Sequence, residues 1–286
     1  MKKFLSITLA ASMLFAMSGC VGTAQTGSEA QTAAEATEAE SAAEGSESAE
    51  LPTLSQDTIV IGLDDEFPPM GFRDENNEIV GFDIDLAKAV GEKLGVEVQF
   101  QPIDRNEKEI ELESGKVDAL WNGLTITDER KESMDFTDPY IENKQIIVVK
   151  NDSEIQSKAD LDGKVVGIQD GSSAVDAVNA DELASAIELS TYDTNILALA
   201  DLDIGRVDAV VADEIVLRYY LAHNDNDFRV IEDGDFGDEV YGVAVKKGNT
   251  ELLTAIQAAL DEMDADGTAA EISTNWFDED IYVHKN

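Results

Sequence analysis

Short apolar runs separated by polar turns dominate residues 57–286. Thr58 to Leu63, Val117 to Trp121, Gln145 to Lys150, Lys164 to Ile168, Val207 to Val211 and Val240 to Val245 predict strands. Between them lie stretches of helical spacing. From Asp83 to Leu94 the chain sets Phe82, Leu86, Val90 and Leu94 four residues apart, one stripe on a helix, with Gly95 as the stop. That stripe reads as core and not as a cofactor box. Strand alternating with helix predicts an α/β fold.

The pattern echoes itself. Gly115-Lys116-Val117-Asp118-Ala119-Leu120 is matched by Gly205-Arg206-Val207-Asp208-Ala209-Val210, each a helix stop followed by a strand. These strands are expected to end at Asn122 and Ala212, followed by Gly123 and Asp213. A second pair joins Thr58–Leu63, ending at Asp64, to Lys164–Ile168, ending at Gln169 and the loop Asp170 to Ser173. Two ordinary helix-strand joins would give the same short echo; taken as a repeat, it predicts two similar α/β lobes. Ligands of open α/β sheets bind beyond the carboxyl ends of strands, so a site is expected among these four loops, in a cleft if the lobes face each other.

The start of the chain follows another pattern. Met1, Lys2 and Lys3 precede an apolar run from Phe4 to Met17 and then Ser18-Gly19-Cys20, the layout of a secretory signal over residues 1–19. The run is too short for a spanning helix. Cys20 is the only cysteine, which excludes a disulfide framework. Its position resembles the lipid-accepting cysteine of bacterial lipoproteins, with Met17 where leucine is more usual. Two acyl chains on Cys20 would hold the protein at the outer face of a membrane, facing the extracellular side or a periplasm. Residues 21–56 contain seven glutamates and no base among Ala, Ser, Thr and Gly, a composition that buries no core, so 20–56 is expected to be a lipidated, solvated tether.

Charge removes one class of partner. The chain has 61 acids against 20 bases, a formal net charge of −41. Setting aside the seven tether acids and Lys2 and Lys3 leaves 54 acids against 18 bases in the folded part. Phosphate backbones require a basic face, so nucleic acid is excluded as a partner. No Gly-rich phosphate loop, metal-spaced cluster or nucleophile elbow is present, so no cofactor and no metal is expected. The two histidines, His223 and His284, read as surface residues.

Several residues could carry binding chemistry. In Thr125-Ile126-Thr127-Asp128-Glu129-Arg130, Thr127 or Asp128 would cap a helix running on to Met134, with Arg130 in its first turn. A cation there opposes the helix dipole unless an anion is near. That anion is either Glu129 or Asp128 on the surface, or a ligand carboxylate held in a bidentate fork with help from the Thr125 hydroxyl. Gly171-Ser172-Ser173 opens a second helix with free amide donors, or merely caps it. Asp213 caps the next helix or binds a cation. Together Arg130 and Asp213 would match the carboxylate and ammonium of a zwitterion.

Gly81-Phe82-Asp83-Ile84-Asp85-Leu86-Ala87-Lys88-Ala89-Val90-Gly91 resembles the signature of the family 3 bacterial extracellular solute-binding proteins. The resemblance extends through Phe67 to Phe72, Trp121 to Arg130, Asp135 to Tyr140, Val207 to Glu214 and Gly267 to Phe277. It implies a two-lobed, type II periplasmic-binding-protein-like fold with the ligand in the inter-lobe cleft. Lobe one would be 57–141 plus 242–286, and lobe two 142–241, with hinges near 140–144 and 237–241. By the same resemblance Arg130, Thr125 and Ser173 hold a carboxylate and Asp213 holds an ammonium. Phe67 packs over the ligand, Gly123 offers a backbone acceptor, and Asp64, Asn122 and Gln169 read the side chain. Arg105 stands where many relatives have an aromatic ring.

The implied function is capture of a free L-amino acid for the membrane subunits of an ABC importer, by a monomer and without catalysis. Asp64, Gln169 and the anionic surface point to a polar or cationic side chain, such as lysine, arginine, glutamine or cystine. An enzyme on the same fold, of the cyclohexadienyl dehydratase kind, and a ligand-sensing receptor module are the competing classes.

Overall fold

A computed structural model describes residues 51–285. The expected signal peptide, Cys20 and residues 21–50 of the tether lie outside them. Residues 51–56, expected as the end of the tether, lie on the folded body: Leu54 packs against a core cluster and the Ser55 amide donates to Glu251 (2.9 Å). None of the helices described is long and apolar enough to cross a membrane.

The chain begins with strand β1 (Thr58–Leu63) and a small antiparallel sheet of β2 (Glu66–Phe67), β3 (Gly71–Arg73) and β4 (Ile79–Val80). Helix α1 (Phe82–Leu94) follows, then β5 (Glu97–Pro102), α2 (Lys108–Ser114), β6 (Ala119–Leu120), α3 (Arg130–Ser133) and β7 (Met134–Phe136). A long strand, β8 (Ile141–Lys150), leads into β9 (Val165–Gln169), α4 (Ser173–Ala180), β10 (Glu188–Tyr192), α5 (Asn195–Asp203), β11 (Ala209–Asp213), α6 (Glu214–His223) and β12 (Phe228–Ile231). The chain closes with β13 (Asp238–Tyr241), β14 (Ala244–Lys246), α7 (Thr250–Asp266) and α8 (Thr268–Phe277).

Two sheets share one plan. Their orders are β5-β1-β6-β14-β7 and β10-β9-β11-β8-β12. In each, the second strand is parallel to both neighbours and the fourth is antiparallel to the third and fifth. The echoed Gly-basic-Val-Asp motif makes the same joint twice. Gly115 and Gly205 have φ of 76° and 72°. Asp118 and Asp208 each accept from the neighbouring strand's amide (Val60 and Val165, both 2.8 Å) and donate back to its carbonyl (2.7 and 2.8 Å).

Several elements depart from their sequence-based bounds. The helix expected to reach Met134 stops at Ser133, because Met134–Phe136 is drawn into pairing with β14. The run Val240–Val245 is two strands: β13 pairs with β8, while β14 pairs with β6 and β7, so the chain changes sheet at Gly242 and Val243. Strands β5, β10 and β12 flank the sheets, and β5 and β10 are rich in polar residues.

Helix α1 shows how the signature motif shapes the first lobe. Phe82, Leu86 and Val90 bury its predicted stripe, each side chain contributing roughly 1.5–3 kcal/mol. Gly81 precedes it at φ 147°, where an added Cβ would collide with the Met70 carbonyl. Asp83 is fully buried and accepts from the Gly123 amide (2.6 Å) and the Tyr140 hydroxyl (2.9 Å), while Asp85 accepts from the Trp276 indole (3.0 Å). In the second lobe, successive residues of β8 and β11 feed opposite faces. Ile147, Val149, Ala209 and Val211 pack toward α4; Ile146, Val148, Val210 and Ala212 pack with α5 and α6 residues.

Candidate ligand-binding cleft

The carboxyl ends of β1, β6, β9 and β11 deliver Asp64, Asn122, Gln169 and Asp213 toward a common cleft. Several contacts cross it. Gln169 Nε2 donates to Asp64 (3.0 Å), the Thr125 and Ser173 hydroxyls lie 3.0 Å apart, and Asn106 Nδ2 donates to Asp170 (3.0 Å).

Arg130 opens α3, where Thr127 Oγ1 accepts its amide at 3.1 Å. The guanidinium turns inward and donates to the Thr125 carbonyl (2.8 Å); the residue is only 7% exposed. Among the described residues no carboxylate lies within 4 Å of it, so the surface pairing with Asp128 or Glu129 is not made; Asp128 pairs with Lys131 instead. Burial, and next the nearby Arg105, lower the guanidinium's pKa. A buried cation without its anion is the condition that a ligand carboxylate relieves.

Asp213 is equally buried, at 4% exposure. It stands at the N-cap of α6 but makes no side-chain cap bond. Its carboxylate instead accepts from Asn143 Nδ2 (2.7 Å), Gln145 Nε2 (3.1 Å) and the Tyr241 hydroxyl (2.6 Å). The same two amides donate to Glu239 at 2.7 and 2.9 Å, and the Thr125 hydroxyl adds a third bond at 3.0 Å. Burial first and Asp213 second push the Glu239 carboxyl up to about 8. Among the described residues no cation lies within 4 Å of either carboxyl, and two carboxyls that share donors have the acceptor oxygens an ammonium needs.

Asn143, Gln145, Glu239 and Tyr241 were not singled out from the sequence. They sit at alternate positions of β8 and β13, with Glu239 facing Asn143 in register. The available signal was Asn143 and Gln145 at i and i+2, just ahead of the apolar run Ile146 to Val149.

Gly123 has φ 56°, and an added Cβ would lie 2.8 Å from the Phe67 ring. Asp83 fixes its amide, pairing loop to helix. Burial raises the Asp83 carboxyl to about 7. Asn122 accepts the Asp64 amide (3.3 Å). Phe67 is buried, and the Arg105 guanidinium lies 4.8 Å over its ring. Arg105 Nη2 pairs with Asp64 at 3.0 Å. Asp64 thus already serves Arg105, Gln169 and the Glu66 amide. An open groove of about 770 Å³ runs past Thr125, Asn143, Ser173 and Glu239.

Known proteins resemble this chain in sequence and in fold. The profile of the bacterial extracellular solute-binding proteins, family 3, matches residues 59–279. The L-cystine-binding protein TcyJ of Escherichia coli K12 is 33% identical over 226 residues, covering 78% of this chain and 84% of the relative. The arginine-binding extracellular protein ArtP of Bacillus subtilis 168 is 32% identical over 280 residues, covering 97% and 98%. Among solved structures, a substrate-binding protein of an ABC uptake transporter from Streptococcus pneumoniae with bound histidine superimposes with a TM-score of 0.76. Its identity is 39%, over 79% of this chain and 95% of that one.

Proposed function

Since the chain belongs to the bacterial extracellular solute-binding proteins, family 3, we propose that it captures a free polar amino acid for an ABC importer by closing two lobes around it. The observation that carries this reading is the opposed pair of buried charges. Among the described residues, Arg130 on the first lobe has no carboxylate within 4 Å and Asp213 on the second has no cation.

In this reading the ligand's α-carboxylate takes the Arg130 fork with the Thr125 and Ser173 hydroxyls, and its ammonium takes Asp213 and Glu239. Gly123 supplies its carbonyl, and Phe67 packs against the ligand. Asn122, Gln169 and Asp64 border the side chain. The crossings Ile141–Lys144 and Asp238–Tyr241 serve as hinges between 57–141 plus 242–286 and 142–241. Closure requires that the ligand favour the closed state, since equal affinity for both states shifts nothing. No covalent step is needed, and the two histidines stand away from the charged pair: His223 stacks on Tyr219, and His284 contacts Asp264 and Asp280.

Relatives named for cystine and arginine, and a structural neighbour holding histidine, support an amino acid as cargo. Asp64 is already engaged by Arg105, which favours a polar side chain such as that of glutamine or cystine over lysine or arginine. Removal of residues 1–19, lipidation of Cys20 and a monomeric state complete the proposal.

Arg130→Ala and Asp213→Ala are each expected to weaken binding of the cognate amino acid by about a hundredfold or more, because each strands an opposite charge of the ligand in the closed cleft. Calorimetric titration measures this. Wild-type affinity in both variants would remove the clamp.

A further inference from the structure

The cleft holds more positive charge than one α-carboxylate accounts for. Lys108, the first residue of α2, is partly buried, and among the described residues its ammonium donates only to carbonyls: Arg105 O at 3.0 Å and, across the cleft, Gly171 O at 3.4 Å. Of the 18 bases among the described residues, 13 reach a carboxylate within 4 Å; Lys108, Arg130, Lys164, Arg229 and Lys246 do not, and of these five Lys108 and Arg130 stand at the cleft. Burial first, then Arg130 and Arg105, lower the Lys108 ammonium to about 8. Three cations therefore share one wall of the cleft, and only Arg105 has a carboxylate.

Beside them lies a small cavity of about 30 Å³ bordered by Asp64, Arg105, Lys108, Trp121 and Asn122. Arg105 Nε and Asn122 Nδ2, both buried, have no acceptor. Orphaned donors and an unpaired ammonium at one place call for acceptor oxygens carrying negative charge. The opposite requirement, for a cationic side chain, is already met from within: Arg105 occupies Asp64 and the Phe67 face.

We propose that Lys108, flanked by Arg105, receives a second carboxylate, so that the captured amino acid bears one at its far end. This rests on the zwitterion clamp at Arg130 and Asp213 and adds a distal subsite to it. The far carboxylate displaces the Gly171 carbonyl from Lys108, widening the small cavity. Two ligand types share this chemistry: short dicarboxylic amino acids, and a bis-amino acid such as cystine, whose distal ammonium would have to share Asp64 with Arg105.

The test is calorimetric titration of the full chain with L-glutamate, L-aspartate and L-cystine, beside L-glutamine, L-arginine and L-lysine, repeated with Lys108→Met. A ligand with two carboxylates is expected to bind at least about tenfold tighter than any with one, and Lys108→Met to reduce that preference by about tenfold. Tightest binding of glutamate or aspartate assigns the short diacid; tightest binding of cystine assigns the bis-amino acid. Glutamine, arginine or lysine binding tightest overturns the distal subsite while leaving the clamp in place, as does a preference unchanged in Lys108→Met. Binding of none of the six overturns both. If Lys108→Met does not fold, the wild-type ranking alone decides.

Discussion

Asp83 is a fully buried carboxyl and Glu239 a partly buried one, and the protons of both belong to the folded state. Burial raises them to about 7 and about 8, from ordinary values of 3.8 and 4.5. The folded chain therefore binds more protons than the unfolded one across this interval, so stability falls as pH rises through it. His284, raised by Asp264 and Asp280, acts in the same direction. The depressed carboxyls, such as Asp266 at about 2, act only below about pH 4. Without ligand, the melting temperature is expected to fall between about pH 5 and 8. Glu239→Gln should flatten the upper part of that fall and Asp83→Asn the lower. A melting temperature that climbs over the same interval, or ignores both substitutions, contradicts the burial argument.

At the scale of elements, the two sheets carry one repeated joint. Asp118 and Asp208 tie their strands to the neighbours through a carboxylate-amide bond of 2.8 Å each. Asp118→Ala and Asp208→Ala should each cost about 1 kcal/mol, both sites being partly open to water. Urea denaturation would register this as a lower midpoint with an unchanged slope; loss at only one site would mean that the repeat is not equivalent in energy. This joint was legible because Gly, Val and Asp each have a local job there, stopping a helix, filling the core and bonding the next strand. Strands β5 and β10 escaped notice because flanking positions tolerate polar residues such as Gln99 and Gln101, and β12 because it is only four residues long. Arg130, Asp213 and their equivalent loops could be read from strand ends. The cage of Asn143, Gln145 and Glu239 could not, since a single Glu in so acidic a chain has no distinguishing context until β8 and β13 pair. Lys108 was hidden for a related reason: its importance lies in the carboxylate it lacks.

At the scale of the molecule, the proposed clamp divides its two charges, Arg130 and Asp213, between the two lobes. Thr125–Ser173 and Asp64–Gln169 span the cleft directly, so the side chains proposed to meet the ligand also join the lobes. Outside the described residues, Cys20 is expected to fix the chain to the membrane. Cys20→Ser should leave an expressed protein that partitions into the aqueous phase of a detergent separation; continued membrane retention would argue for another anchor.

The zwitterion clamp is tested most directly on the ligand, with the protein unaltered. Once the tightest amino acid is found, its α-methyl ester and its N-acetyl derivative should each bind at least about a hundredfold more weakly in calorimetry, because one removes the charge met by Arg130 and the other the charge met by Asp213. Derivatives that bind as tightly as the free amino acid would contradict the account at its centre.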